Sequence, residues 1–261
     1  MCRITIASGN FEVAKVIDSI IFMAQDQNSS HERNTEKGLG SYTHPDGWGV
    51  AYLSDKGLVI KKSTKAIFKD PLVDQLRKIK TDFMFIHVRK ESCGKVSLKN
   101  THPFKARHPL LGECLFCHNG TIKDQILFDA SYKSQGSTDS ERLFYSILSD
   151  ITENEDLSIA KKIQQNLQKY PETKGSNIVL ATLDKTYVAI RKNQLPKYFG
   201  MMLGQGKDFL LISSEKLKTF PNIKWRSILP EEVVIIQNGT TSFSVRREKK
   251  SIIQKVMAKL L

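Results

Sequence analysis

Short β-rich segments joined by turn signals set the strongest limit on what this chain can fold into. WGVAYL and LVIKK flank Ser54-Asp55-Lys56-Gly57, and EVVIIQ and TTSFSVRR flank Asn238-Gly239. The first arrangement suggests a hairpin, and the second carries the Asn-Gly pair that favours a type I′ turn. RITIA, DFMFIHVR, ECLFCHN, NIVLATLD, TYVAIRK and DFLLISS read as further strands. Helical spacing comes in blocks: FEVAKVIDSIIFMAQ, the shorter PLVDQLRKI with Pro71 at its start, and the stretches 138–148 and 157–170. Hairpin-linked strands with helices inserted in blocks predict an α+β fold with antiparallel sheets rather than a doubly wound parallel sheet. With no glycine-rich phosphate loop in the chain, a nucleotide-binding core is not expected.

A chain of 261 residues can bury a full core. No apolar run is long enough to span a bilayer, and MCRITIAS lacks the regions of a signal peptide, so a cytoplasmic protein with no membrane contact is expected. The polar stretch 25–41 reads as a loop, not an interdomain linker. Without an export signal, Cys2, Cys93, Cys114 and Cys117 are expected as reduced thiols. The net charge of +13 raises nucleic acid as a partner. No nucleic-acid-binding signature accompanies it, and nucleic acid is not expected. The densest basic stretch, RREKKSIIQKVMAKLL, spaces Ile252, Ile253, Val256 and Leu260 as an amphipathic helix that would pack on its own domain.

Five features carry the chemistry, and their order is informative. Cys2 follows the initiator methionine; HPDGWG spans 44–49; HVRKESCG spans 87–94, with NTHPF at 100–104; CHNG spans 117–120; STDSE spans 137–141. Met1 is removed efficiently before a small residue, which would give Cys2 a free α-amine beside its sulfur. A thiol ionises at about 8.5 and an α-amine at about 7.7 to 8.0, so the amine can serve as base for its own thiol. Against this, the position of Cys2 before RITIA alone favours a core cysteine. NGT alone would suit a turn, and Asp139, Thr138 or Ser137 could cap the helix that follows. CLFCH fits a haem-attachment pattern, but residues three apart on a strand face opposite ways. No second ligand pair supports zinc. His87, His102 and His118 are expected to hydrogen-bond in the core or line a cleft, and Trp48 to anchor the core or shape that cleft.

Taken in order, the terminal cysteine, HxR, NxxPF, HNG and TDSE resemble the glutaminase domain of class II glutamine amidotransferases, which are N-terminal nucleophile hydrolases. The resemblance implies a four-layer αββα sandwich of two antiparallel sheets, as a single domain over 1–261. It implies that Cys2 attacks a glutamine side-chain carbonyl to give a thioester and ammonia, and that water then releases glutamate. By the same resemblance Asn119 and Gly120 form the oxyanion hole, Arg89 clamps the α-carboxylate and Asp139 holds the α-ammonium. No cofactor and no metal are implied. The implied partner is a small molecule, glutamine or a γ-glutamyl compound, with a separate ammonia-accepting synthase possible. Lys90 and Glu91 stand where the family often carries small or aromatic residues. The competing expectation is a non-catalytic basic interaction protein that retains the fold.

Overall fold

The computed structural model describes residues 2–35 and 41–247. In chain order the elements are β1 (Arg3–Gly9), α1 (Val13–Ala24), α2 (Glu32–Thr35), β2 (Trp48–Ser54), β3 (Gly57–Ser63), α3 (Val73–Leu76), β4 (Phe83–Val88), β5 (Phe104–His108) and β6 (Gly112–Ile122). There follow α4 (Asp139–Asp150), α5 (Asp156–Lys169), β7 (Thr173–Ala181), β8 (Lys185–Ile190), β9 (Met202–Gln205), β10 (Phe209–Ser213), β11 (Lys224–Ser227), β12 (Glu232–Gln237) and β13 (Phe243–Arg247). A seven-stranded sheet runs β11-β9-β10-β1-β4-β2-β3, and a six-stranded sheet runs β13-β12-β8-β7-β6-β5. Every pairing is antiparallel.

Strand alternation builds the layers. On β1 and β4, Ile4, Ile6, Phe83 and Phe85 turn into the space between the sheets, where they meet Leu115 and Cys117 of β6 and Val179 of β7. The opposite faces, with Ala7, Met84, Ile86 and Val88, receive Val16, Ile17 and Ile20 of α1. Phe116, Ile178 and Leu180 of the second sheet receive Leu143, Phe144 and Ile147 of α4 and Ile159 and Ile163 of α5. The expected αββα sandwich is therefore the observed one. β1 and β4 are buried on both faces, and β4 accordingly reads as a near-continuous apolar run.

Several local expectations change. PLVDQLRKI yields only the four-residue α3, flanked by i→i+3 turns; so short a segment fixes few hydrogen bonds for the cost of its nucleus. At Asn238-Gly239 the turn is not type I′. Only Gly239 has positive φ, at +77°, and Thr240 N–H bonds back to the Gln237 carbonyl, the pattern of a type II turn within a longer loop. The Asn238 side chain instead donates to the carbonyls of Thr182 and Leu183. β5, β9 and β11 are four or five residues long and owe their form to their neighbours. The segment read as a loop at 25–41 contains α2, and Asp26 accepts from Asn34 and from the Tyr42 main chain. The basic amphipathic helix expected over 246–261 falls outside the described residues, save Arg246 and Arg247, which end β13.

Candidate active site

The site forms where the start of β1, the end of β4 and the middle of β6 meet. Cys2 immediately precedes β1 and is buried. Its main-chain nitrogen donates to Oδ1 of Asn119 at 2.7 Å, and its sulfur lies 4.0 Å from the Lys90 carbonyl. Burial alone would push this thiol up, but the charges of His87 and of the chain's N-terminus pull the other way and hold it at about 6. Two other buried thiols behave oppositely: burial pushes Cys114 up to about 12 and Cys117 well above its ordinary value. Cys114 lies on the helix-facing side of β6 and Cys117 between the sheets, so CLFCH does not gather its sulfurs. Among the described residues no group of three or more His, Cys, Asp or Glu is placed to hold a metal.

Asn119 is fully buried, and its Nδ2 has no hydrogen-bond partner. A buried amide donor left unpaired costs on the order of 1–3 kcal/mol, and it is the group needed to meet an oxyanion. Asn119 and Gly120 lie within β6, not in a turn after it. At Gly120 the register with β7 slips by one residue, and a Cβ there would fall 2.6 Å from His118 Nε2 and 2.8 Å from the Gly175 carbonyl. A side chain has no room at this bulge.

Arg89 follows Val88, the partner of Arg3, so it stands beside Cys2 at the same end of the sheet. HPDGWG grips its backbone: Arg89 N–H donates to the Gly47 carbonyl at 2.8 Å and its carbonyl accepts from Asp46 N–H at 3.0 Å. Trp48 is buried with Nε1 donating to Asp70. The Arg89 guanidinium is also buried. Nη2 donates to the carbonyls of Cys93 and Gly94, whereas Nη1 has no partner. One edge of the fork is thus held by the protein and one is left for an anion.

Asp139 opens α4 but does not cap it; Thr138 does, accepting from Glu141 N–H. Asp139 Oδ2 accepts instead from Ile122 N–H at 2.7 Å, fastening the carboxylate to β6 just beyond Gly120. Asn100 joins this corner to the Arg89 loop: its Nδ2 donates to the Lys95 carbonyl and Ser137 Oγ, and its Oδ1 accepts from Ser137 N–H. The five residues expected at the site therefore converge, with Asn100 as the tie between their loops. Sequence reading assigned no role to Asn100 and left His87 between a place in the core and one lining the cleft. The available signal for His87 was its place two residues before Arg89, on the same face of a strand by the period of two.

A family model for class-II glutamine amidotransferases matches residues 26–195. The chain is 28% identical over 187 residues to the putative glutamine amidotransferase YafJ of Escherichia coli K12, covering 70% of this chain and 66% of that one. It is 38% identical over 116 residues to the probable glutamine amidotransferase DUG3 of Saccharomyces cerevisiae, covering 38% of this chain and 31% of that one. The matches thus span at most about two thirds of these relatives' length. Among solved structures, a class-II domain protein from Silicibacter pomeroyi superposes with a TM-score of 0.59 at 16% identity, covering 95% of this chain and all of that one. The glutamine phosphoribosylpyrophosphate amidotransferase of Bacillus subtilis gives 0.62 at 17% identity, covering 94% of this chain and 49% of that one. At these identities the superpositions speak for the fold.

Proposed function

The chain belongs to the class-II glutamine amidotransferases, and from that premise we propose that it hydrolyses a γ-glutamyl amide through a thioester on Cys2. The supporting observation is that Asn119 takes the Cys2 main-chain nitrogen on its oxygen while its Nδ2 stays unpaired beside the sulfur's residue. In this reading residues 1–261 act as one amidotransferase unit.

With Met1 removed, the nitrogen facing Asn119 Oδ1 is the terminal amine. The amine takes the thiol proton, the thiolate forms a C–S bond to the γ-carbonyl, and the carbonyl electrons move onto oxygen, which Asn119 Nδ2 and the Gly120 main chain stabilise. Such preorganised donors contribute about 3–4 kcal/mol each to the transition state. Collapse breaks the C–N bond and the amine supplies the proton that lets ammonia leave. Water then attacks the thioester with the amine as base, and the sulfur leaves. Arg89 Nη1 takes the α-carboxylate and Asp139 the α-ammonium, so the substrate is a free glutamyl α-amino acid unit: glutamine or a γ-glutamyl compound. The released ammonia passes to solvent or to a separate synthase.

Intact mass with and without 6-diazo-5-oxo-norleucine tests the assignment. Loss of one methionine plus a single adduct on Cys2, with ammonia released from glutamine, is the expected result. Turnover that persists in Cys2→Ala would overturn it.

A further inference from the structure

We propose that Asn177 is a further substrate-binding residue: its side-chain oxygen takes an N–H of the scissile amide and so selects an amide over an ester. The inference rests on the reading of Cys2 as the attacking group, and deepens it by naming what recognises the leaving nitrogen. In the sheet ladder Asn177 of β7 stands opposite Asn119 of β6 on one side and opposite Ile190 of β8 on the other. Cys117, Val179 and Ile190 face the space between the sheets. By the period of two, Asn119 and Asn177 share that face. As direct cross-strand neighbours their Cβ atoms are about 4.5–5.5 Å apart.

Asn177 is fully buried, and its Oδ1 has no hydrogen-bond partner. Among the described residues it is the single buried side-chain oxygen left in that state. Its orientation is fixed, because Nδ2 donates to the Gly200 carbonyl at 3.5 Å. Turning the amide over would set two acceptors against each other. Buried polar atoms rarely go unpaired, and an exception beside Asn119 calls for a chemical reason. Asn119 supplies the complement: its Oδ1 is held by the Cys2 N–H, and its Nδ2 is unpaired. A buried donor and a buried acceptor therefore lie side by side on one face, both unanswered by the protein. A carboxamide presents the reverse pair, an acceptor oxygen and a donor N–H on one carbon.

In this arrangement the amide oxygen turns to Asn119 Nδ2 and the Gly120 N–H, and one N–H of the scissile nitrogen turns to Asn177 Oδ1. When the C–N bond breaks, the nitrogen takes its added proton from the terminal amine and leaves with its own N–H on Asn177. Glutamine can make this bond, and so can any γ-glutamyl compound with an N–H on the scissile nitrogen. A γ-glutamyl ester instead meets the Asn177 oxygen with a second acceptor.

Isothermal titration with glutamine and with glutamate γ-methyl ester, on the full chain in the Cys2→Ala background, reads this selection without turnover. The amide should bind about 10-fold tighter than the ester or better, and Asn177→Leu should reduce that ratio about 10-fold. The affinity for the ester should not fall. Asn177→Val, whose branched side chain suits a strand, provides a second variant should the first fail to fold. A ratio near one before the change, or unmoved after it, overturns the inference. So does an equal loss for both ligands, which marks a structural role, and so does binding of neither. Ammonia release from glutamine by the unaltered chain separates this inference from the reading beneath it. A ratio that falls in a chain releasing no ammonia keeps Asn177 and removes the hydrolysis; release with an unmoved ratio removes Asn177 alone.

Discussion

The main-chain nitrogen of Cys2 donates to Oδ1 of Asn119 at 2.7 Å, joining the residue before β1 in one sheet to β6 of the other. The residues are 117 positions apart, so the bond exists only when the two sheets are stacked in register. It consumes the acceptor of the amide and leaves its donor free. Asn119→Asp keeps an acceptor for Cys2 and removes the donor. Assayed at the alkaline plateau, where the thiol is ionised, it should lower kcat by about 10²–10³-fold with a smaller change in KM. A steady-state ammonia-release assay with kcat unchanged would remove Asn119 from the oxyanion hole.

Arg89 divides its fork between two loop carbonyls and an open edge. Arg89→Lys retains charge but cannot serve both. Charge-assisted hydrogen bonds contribute about 1.5–3 kcal/mol each, so KM for glutamine should rise by about 10–100-fold while kcat changes less. Isothermal titration of the Cys2→Ala background with glutamine would show the same loss as binding. Equal affinity in both backgrounds would place the carboxylate elsewhere.

Behind Cys2, Arg3 and Glu215 form a buried pair at 3.1 Å. Arg3 Nη1 also donates to the Tyr198 carbonyl, and Glu215 accepts from Asn28 and Ser29. Glu215→Gln leaves the guanidinium charged and uncompensated, which should cost about 3–5 kcal/mol in urea unfolding. The double change Arg3→Met with Glu215→Gln should recover part of that loss, because it removes the stranded charge. Equal stabilities for the single variant and the unaltered chain would contradict the pairing.

Thiol chemistry should separate by burial and partner. Cys2, held at about 6, is the thiolate at neutral pH, whereas Cys114 and Cys117 are pushed up by burial and stay protonated. Limited iodoacetamide at pH 7 should therefore modify Cys2 and spare both β6 cysteines. Because a depressed pKa favours the thiolate above it, kcat/KM should fall on the acid side as pH drops through about 6. An acid limb near the ordinary thiol value of about 8.5 would mean that the nucleophile is not perturbed.

Much of this molecule was legible locally. Ile4 and Ile6, and Phe83 and Phe85, alternate along their strands and do face one layer. Thr138, one of three candidates for the cap, holds that place because its hydroxyl accepts from Glu141 N–H. Asp139 was left between capping and ligand binding, and its fastening to Ile122 depends on β6 lying under α4. Asn238-Gly239 misled because the Asn238 side chain is drawn to the β7–β8 turn, a contact absent from any short peptide.

By itself the sequence determined the α+β class and the order of strands and helices, because alternation is a short-range property, while the candidate nucleophile, clamp and oxyanion residues came from the family resemblance that its ordered motifs carry. Only the tertiary structure decided that Asn119 turns its oxygen to Cys2 and its amide away, and that Arg89 keeps one edge open. Those outcomes depend on how two sheets stack, and stacking is set by the burial of apolar faces contributed from the whole chain.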